Sequence, residues 1–152
     1  MVSISYCITA CNEIKELTKL LSILNFSIAP QDEIVIQVDS KNATIEVIDL
    51  AEQYASMSSR IKLVKFPLNR DFASFKNNAY KHCTKDYVFQ IDADEYPSRT
   101  LVDNIHSILE MNPNLDLFLV PRINTVTGLT SAHIQKWGWR VDDKGWVNYP
   151  DY

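Results

Sequence analysis

No glycine occurs in this chain before Gly128, and only three are present in 152 residues. The long N-terminal part therefore holds neither a G-x-G-x-x-G turn nor a G-x-x-x-x-G-K-[ST] loop, which excludes the glycine-cradled dinucleotide and P-loop sites. Cysteine is equally sparse: Cys7, Cys11 and Cys83 are an odd number without metal-type spacing. Cys7 and Cys11 lie four apart on one strand-like run, too far for a disulfide, so a reducing, cytoplasmic setting is expected. No apolar run approaches the roughly 18 residues of a membrane span. The start, MVSISYCITACNE, lacks the basic region and cleavage pattern of a secretory signal. Positive charge is also in deficit. Fifteen Lys and Arg stand against nineteen Asp and Glu, and their scatter argues against a nucleic-acid partner.

What is present is a regular alternation of strand and helix patterns. The length suits one domain. Val2 to Ala10 alternates apolar with small polar residues, and Ile14, Leu17, Leu20, Leu21 and Leu24 then recur at helical spacing. Glu33 to Val38 predicts a second strand, followed by a helix marked by Ile45, Ile48, Ala51 and Ala55. Ile61 to Phe66, stopped by Pro67, predicts a third strand, with Phe72, Phe75 and Ala79 on the next helix. Tyr87 to Ile91 is the fourth. A helix from near Ser98, with Leu101, Ile105 and Ile108 inward, ends before Pro113, and Leu115 to Pro121 supplies a fifth strand. The pattern predicts an α/β fold with a mostly parallel sheet flanked by helices. Residues 122–152, which hold every glycine and tryptophan, show no helical period and are expected as irregular strands and loops over the strand ends.

In parallel sheets ligands bind outside the carboxyl ends of the strands. That edge gathers TACNE, DSKN, NRDFASFKNNA and DADE, the segments after the first four strands. The last is the most telling: Asp92, Asp94 and Glu95 crowd the end of an apolar strand, with only Ala93 intervening. Like charges so close resist being ionised together unless a cation or several donors offset them. A plainer role is to complement the N-terminus of the following helix.

Asn12-Glu13 after the first strand, Asp39-Ser40 after the second, FASFKNNA before a helix and DYVFQIDADE, in that order, resemble the family 2 glycosyltransferases of GT-A (Rossmann-like) fold. The similarity is closest to the branch around lipopolysaccharide-core glucosyltransferases, with its LDADE-type motif. The resemblance implies a single GT-A domain over 1–152, with 1–122 as nucleotide-sugar-binding core and 123–152 as a partial acceptor-side segment. It implies an inverting, metal-dependent transfer from a UDP-sugar donor to a carbohydrate or other hydroxyl acceptor. Asp94 matches the family's ligand for Mn²⁺ or Mg²⁺, and Asp92 the carboxylate that faces the ribose and reaches the metal through water. Ala93 lies between them, within the motif. Asp39 matches the contact to uracil, and Thr9, Ala10, Asn12 and Glu13 line base and ribose. Lys76, followed by Asn77, stands where the family usually has arginine, toward the diphosphate.

Each position also has a structural reading: an Asx-type turn for Asp39, a helix N-cap for Asn12, a solvated helix face for Lys76. His82 and His106 read as helix residues, and His133 as either a loop residue or a late metal ligand. Trp137, Trp139 and Trp146 suit a small core or a sugar platform. A carboxylate base must also reach the acceptor hydroxyl. The candidates are Asp142, Asp143, Glu95 and Asp151, and the branch's arginine-containing strand and later His-Glu pair have no counterpart before Tyr152. A donor-binding module with slow or no transfer is therefore the alternative expectation. Donor sugar, acceptor and oligomeric state stay open.

Overall fold

Four runs rich in β-branched and aromatic residues become strands because that chemistry suits a pleated, buried surface. They are β1 (Ile4–Ala10), β2 (Glu33–Asp39), β3 (Ile61–Phe66) and β4 (Tyr87–Asp92), in a computed structural model that describes residues 1–152. Between and after them run α1 (Ile14–Ser27), α2 (Ile45–Met57), α3 (Phe72–Tyr80) and α4 (Arg99–Met111). The strands lie parallel in the order β3-β2-β1-β4, so all four carboxyl ends share one edge. Helix α1 packs against α2 and α4, while α3 packs across β1, β2 and β3. The chain forms two compact units, Met1–Asn112 and Pro113–Tyr152.

The core of the first unit sits on β1, β2 and α1. Both faces of β1 are buried, with Ser5 and Cys7 as inaccessible as Tyr6 and Ile8, because a central strand in a covered sheet has no solvent side. Leu17, Leu20, Leu21 and Leu24 of α1 are sealed, as their spacing predicts. Other helices turn a slightly different face inward. Val47 and Ala51 are the buried residues of α2 while Ile45 is 72% exposed; Phe72 of α3 is 67% exposed; α4 buries Val102 and Leu109 and leaves Ile108 outside. A helix face is only about 100° wide, so packing against a particular neighbour decides which apolar residue at its margin stays wet.

Polar groups tie the opposite end of the sheet. The Glu33 carboxylate, buried at the start of β2, accepts from Ser5 Oγ at 2.7 Å and from the Thr84 N–H and hydroxyl at 2.6 and 2.9 Å, and it pairs with Lys62 at 2.8 Å. One side chain thus joins β1, β2, β3 and the turn before β4. Asp32, also buried, accepts from the Ile4 and Ala29 N–H groups and meets His106 of α4 at 3.0 Å. His106 therefore fastens α4, in keeping with a helix residue.

The second unit departs from expectation. Leu115 to Pro121 belongs to neither sheet, and Leu117 and Leu119 are 77% and 68% exposed. An apolar alternation becomes a strand only where a neighbouring edge takes up its hydrogen bonds. The pairing falls instead to β5 (Arg122–Asn124) and β6 (Val147–Asp151), which run antiparallel. A short helix, α5 (Ser131–Trp137), replaces the expected loop. Thr130 accepts from the His133 N–H, and His133 Nδ1 accepts from the Thr130 N–H, a reciprocal cap. Gly138, with φ +64°, closes the helix in the left-handed conformation that other residues resist. His133 is thus a capping residue, stacked on Trp137 at 5.1 Å.

Candidate active site

The strand order places a reversal between β1 and β4. From β1 the chain proceeds outward through β2 and β3, then returns to β4 on the other side of β1. At such a switch point the following loops diverge and leave a crevice at the carboxyl ends. Thr9 of β1 and Asp92 of β4 are register partners there. Thr9 Oγ1 donates to Asp92 Oδ1 at 2.9 Å, and Lys76 Nζ, arriving from α3, reaches the same oxygen at 2.6 Å. Oδ2 accepts from neither. Asp92 is therefore not a loose member of an acidic cluster but a held carboxylate.

The rest of DADE is arranged around it. The Glu95 carboxylate folds back to accept from the Asp92 N–H at 3.0 Å, and the Glu95 N–H donates to the Asp92 carbonyl at 2.9 Å, closing a turn. Ala93 is buried, and its N–H donates to the Thr9 carbonyl. Asp94 is exposed, with no hydrogen bond or ion pair to its carboxylate. The helix after the motif has its own cap, Ser98 Oγ accepting from the Leu101 N–H, so the three acids are not needed to start it.

At the end of β2, Asp39 is buried and fully engaged. Its Oδ1 accepts from the Lys41 N–H at 3.0 Å and the Leu68 N–H at 3.2 Å, and Oδ2 from Asn42 Nδ2 at 2.7 Å. Burial pushes this carboxyl upward, but donation by Asn42, Lys41 and Leu68 outweighs it and holds it below its ordinary value. Asp39 is thus a turn residue that joins the β2–α2 and β3–α3 loops. Asn12 is not the N-cap of α1: Glu13 occupies that position, and its carboxylate accepts instead from the Cys11 and Asn12 N–H groups at 2.7 and 3.0 Å. Glu13 shapes the β1–α1 loop, which meets the next loop where the Thr44 N–H donates to the Cys11 carbonyl. Ala10 ends β1, buried, and Asn77 follows Lys76 on α3, exposed.

Sequence reasoning missed the strained approach to α3. Asn69 and Arg70 both have positive φ, +49° and +61°, and Lys41 Nζ holds the Asn69 side chain at 2.8 Å. Such backbone costs of order 1–3 kcal/mol per residue and gathers at ligand sites. It leaves the Arg70 side chain exposed beside the Asp71 cap of α3. The signal was the NRD triplet after Pro67, with asparagine at a left-handed position.

Of the acids considered for base catalysis in the second unit, Asp142 and Asp151 are engaged in its own loops and strands. Asp142 Oδ1 accepts from the Lys144 and Trp146 N–H groups at 3.0 and 2.8 Å, and Asp151 holds Arg122 and Asn124. Asp143 is exposed. Trp137 packs on Trp139, and Trp146 on Tyr149, in edge and tilted contacts typical of a small aromatic cluster.

No set of three or more His, Cys, Asp and Glu side chains converges into a metal cage. Asp94 with Asp92 beside it instead fits a hard cation that keeps water and shares its oxygens with phosphates.

Among curated proteins no sequence matches the chain. Solved structures do resemble it. Residues 1–349 of S. aureus TarS in complex with UDP match with a TM-score of 0.65 at 20% identity, covering 86% of this chain and 38% of that one. The same segment of that protein with UDP-GlcNAc gives 0.65 and 20%, over 86% and 36%. S. aureus TarS itself gives 0.68 and 20%, over 86% and 23%. The fold is thus that of GT-A proteins, and the chain spans less than half the length of these neighbours. The family model described as Glycosyl transferase family 2 matches residues 5–147, nearly the whole chain, and with strand order, switch point and DADE turn in agreement, the chain belongs to glycosyl transferase family 2.

Proposed function

We propose that this chain carries the donor site of a metal-dependent, inverting glycosyltransferase that uses a UDP-sugar and a hydroxyl acceptor, most simply a saccharide. The observation that carries the reading is the meeting of Thr9, Lys76 and Asp92 at the switch point, with Asp94 unengaged beside them. A single exposed carboxylate next to a held one, with a lysine in reach, suits a diphosphate whose charge is shared between protein and cation. The neighbours that bind UDP and UDP-GlcNAc support a uridine donor, with N-acetylglucosamine as the first sugar to try. The DADE segment supports the branch around lipopolysaccharide-core enzymes.

In this reading Asp94 would hold Mn²⁺ or Mg²⁺, with Asp92 behind it. When bound, the cation offsets charge that grows on the leaving diphosphate. Thr9, Ala10 and the Glu13-shaped loop line ribose and base, and the loop built on Asp39 forms the base pocket floor. Lys76 and Asn77 face the phosphates. An inverting displacement needs a base on the acceptor side, and Glu95, Asp142 and Asp143 are its candidates. Asp142 would have to leave its turn and Glu95 its bond to the Asp92 N–H. Those engagements favour the second reading, a module that binds donor and transfers little.

UDP release and product formation from a panel of UDP-sugars, with and without Mn²⁺, separate the two. Sugar transfer that needs Mn²⁺ supports the enzyme; Mn²⁺-dependent UDP binding without turnover supports the module. Absence of UDP binding in calorimetry with Mn²⁺ present would sink both.

A further inference from the structure

We infer that Lys76 is the resident cation of this site, and that its pairing with Asp92 weakens the binding of a bare divalent ion there. The inference rests on the donor-site reading above. Lys76 Nζ lies 2.6 Å from Asp92 Oδ1, with the two side chains 23% and 46% exposed. Thr9 Oγ1 adds a donor to that oxygen, and the Asp92 backbone is fixed by its two bonds with Glu95. The carboxylate therefore has a place, an orientation and a counter-charge before any ligand arrives.

A bare divalent ion finds Asp94 without a bonded partner, whereas the charge of Asp92 is partly offset by Lys76. A diphosphate changes this, because the lysine can turn to a phosphate oxygen and leave Asp92 to the ion. Lysine suits such an exchange: its ammonium is a compact charge on a flexible stem, whereas an arginine fork would grip a carboxylate in two places.

The test is a titration with Mn²⁺ alone, followed by the paramagnetic resonance of the free ion, on the unaltered chain, Lys76→Met, Asp92→Asn and the double variant. Lys76→Met should bind Mn²⁺ about three- to fivefold more tightly without nucleotide, the scale of a half-exposed ion pair. In the Asp92→Asn background the same substitution should give no gain. An unchanged affinity in Lys76→Met, or an equal gain with Asp92 replaced, would overturn the inference, the latter by showing a diffuse charge effect. Lys76→Gln repeats the measurement, and circular dichroism checks that each variant folds. UDP binding is followed in a separate calorimetric titration of the unaltered chain with Mn²⁺. Its loss would count against the donor site itself, while the Mn²⁺ comparison judges Lys76.

Discussion

Asp39 and Asp94 are both aspartates at strand ends, and their surroundings give them opposite characters. Asp39 is closed in by donors from Lys41, Leu68 and Asn42, so Asp39→Ala would leave part-buried N–H groups unpaired. The cost should be about 2–4 kcal/mol in urea unfolding, since hydrogen bonds to a charged group are worth about 1.5–3 kcal/mol and orphaned donors add to that. If Asp39 also shapes the base pocket, the variant should lose more affinity for UDP than for inorganic diphosphate; equal losses would restrict it to the turn. Asp94 is exposed and unbonded, so Asp94→Ala should shift stability by no more than about 0.5 kcal/mol. Its Mn²⁺-dependent UDP affinity should nevertheless vanish in calorimetry. Unchanged metal-dependent affinity would remove Asp94 from the site.

Elements are held in register by side chains far from the crevice, and Glu33 is the chief of these. Burial raises its carboxyl, yet donation by Lys62, Ser5 and Thr84 prevails and brings it from an ordinary 4.5 to about 2. Because the folded value is the lower one, the stabilisation is complete above about pH 4.5 and is lost as the pH falls toward about 2. That difference corresponds to about 3 kcal/mol. Glu33→Gln should therefore be less stable near neutrality and show a flatter dependence on pH between those values, read from urea midpoints across an acid series. An unaltered slope would mean that other carboxylates govern acid unfolding. In the second unit, α5 depends on its ends more than on burial, since none of its residues is buried. Gly138→Val places a β-branched residue at φ +64°, and should cost about 1–2 kcal/mol, seen as lost amide protection over α5 in hydrogen exchange.

At the scale of the whole molecule, donor binding should draw on the first unit, which contains the switch point. UDP with Mn²⁺ at about a hundredfold over Kd adds about 2.7 kcal/mol by mass action. This corresponds to a rise of roughly 5–10 °C in thermal midpoint for a chain of this size. Hydrogen exchange should place the added protection at the carboxyl ends of β1, β2 and β4 and in the DADE turn. Protection confined to residues 113–152 would contradict the site.

Hydrophobic spacing alone located the strands β1 to β4 and the sealed stripe of α1, because alternation and helical repeat are local and strong. The carboxyl-edge rule, applied to that alternation, also gathered Thr9, Asp39, Lys76 and the DADE acids at one end of the sheet before any contact was known. Tertiary structure decided the rest. The run from Leu115 to Pro121 joined neither sheet, because strand formation depends on the edge a segment meets as well as on its own alternation. The short helix α5 arose from the reciprocal cap of Thr130 and His133, too brief to leave a period. Above all, the acids of one motif were given different tasks by groups distant in the chain: Lys76 and Thr9 hold Asp92, Glu95 turns back to its backbone, and Asp94 is left facing solvent. A sequence places like charges side by side, but which of them stays free depends on donors that only the folded chain brings within reach.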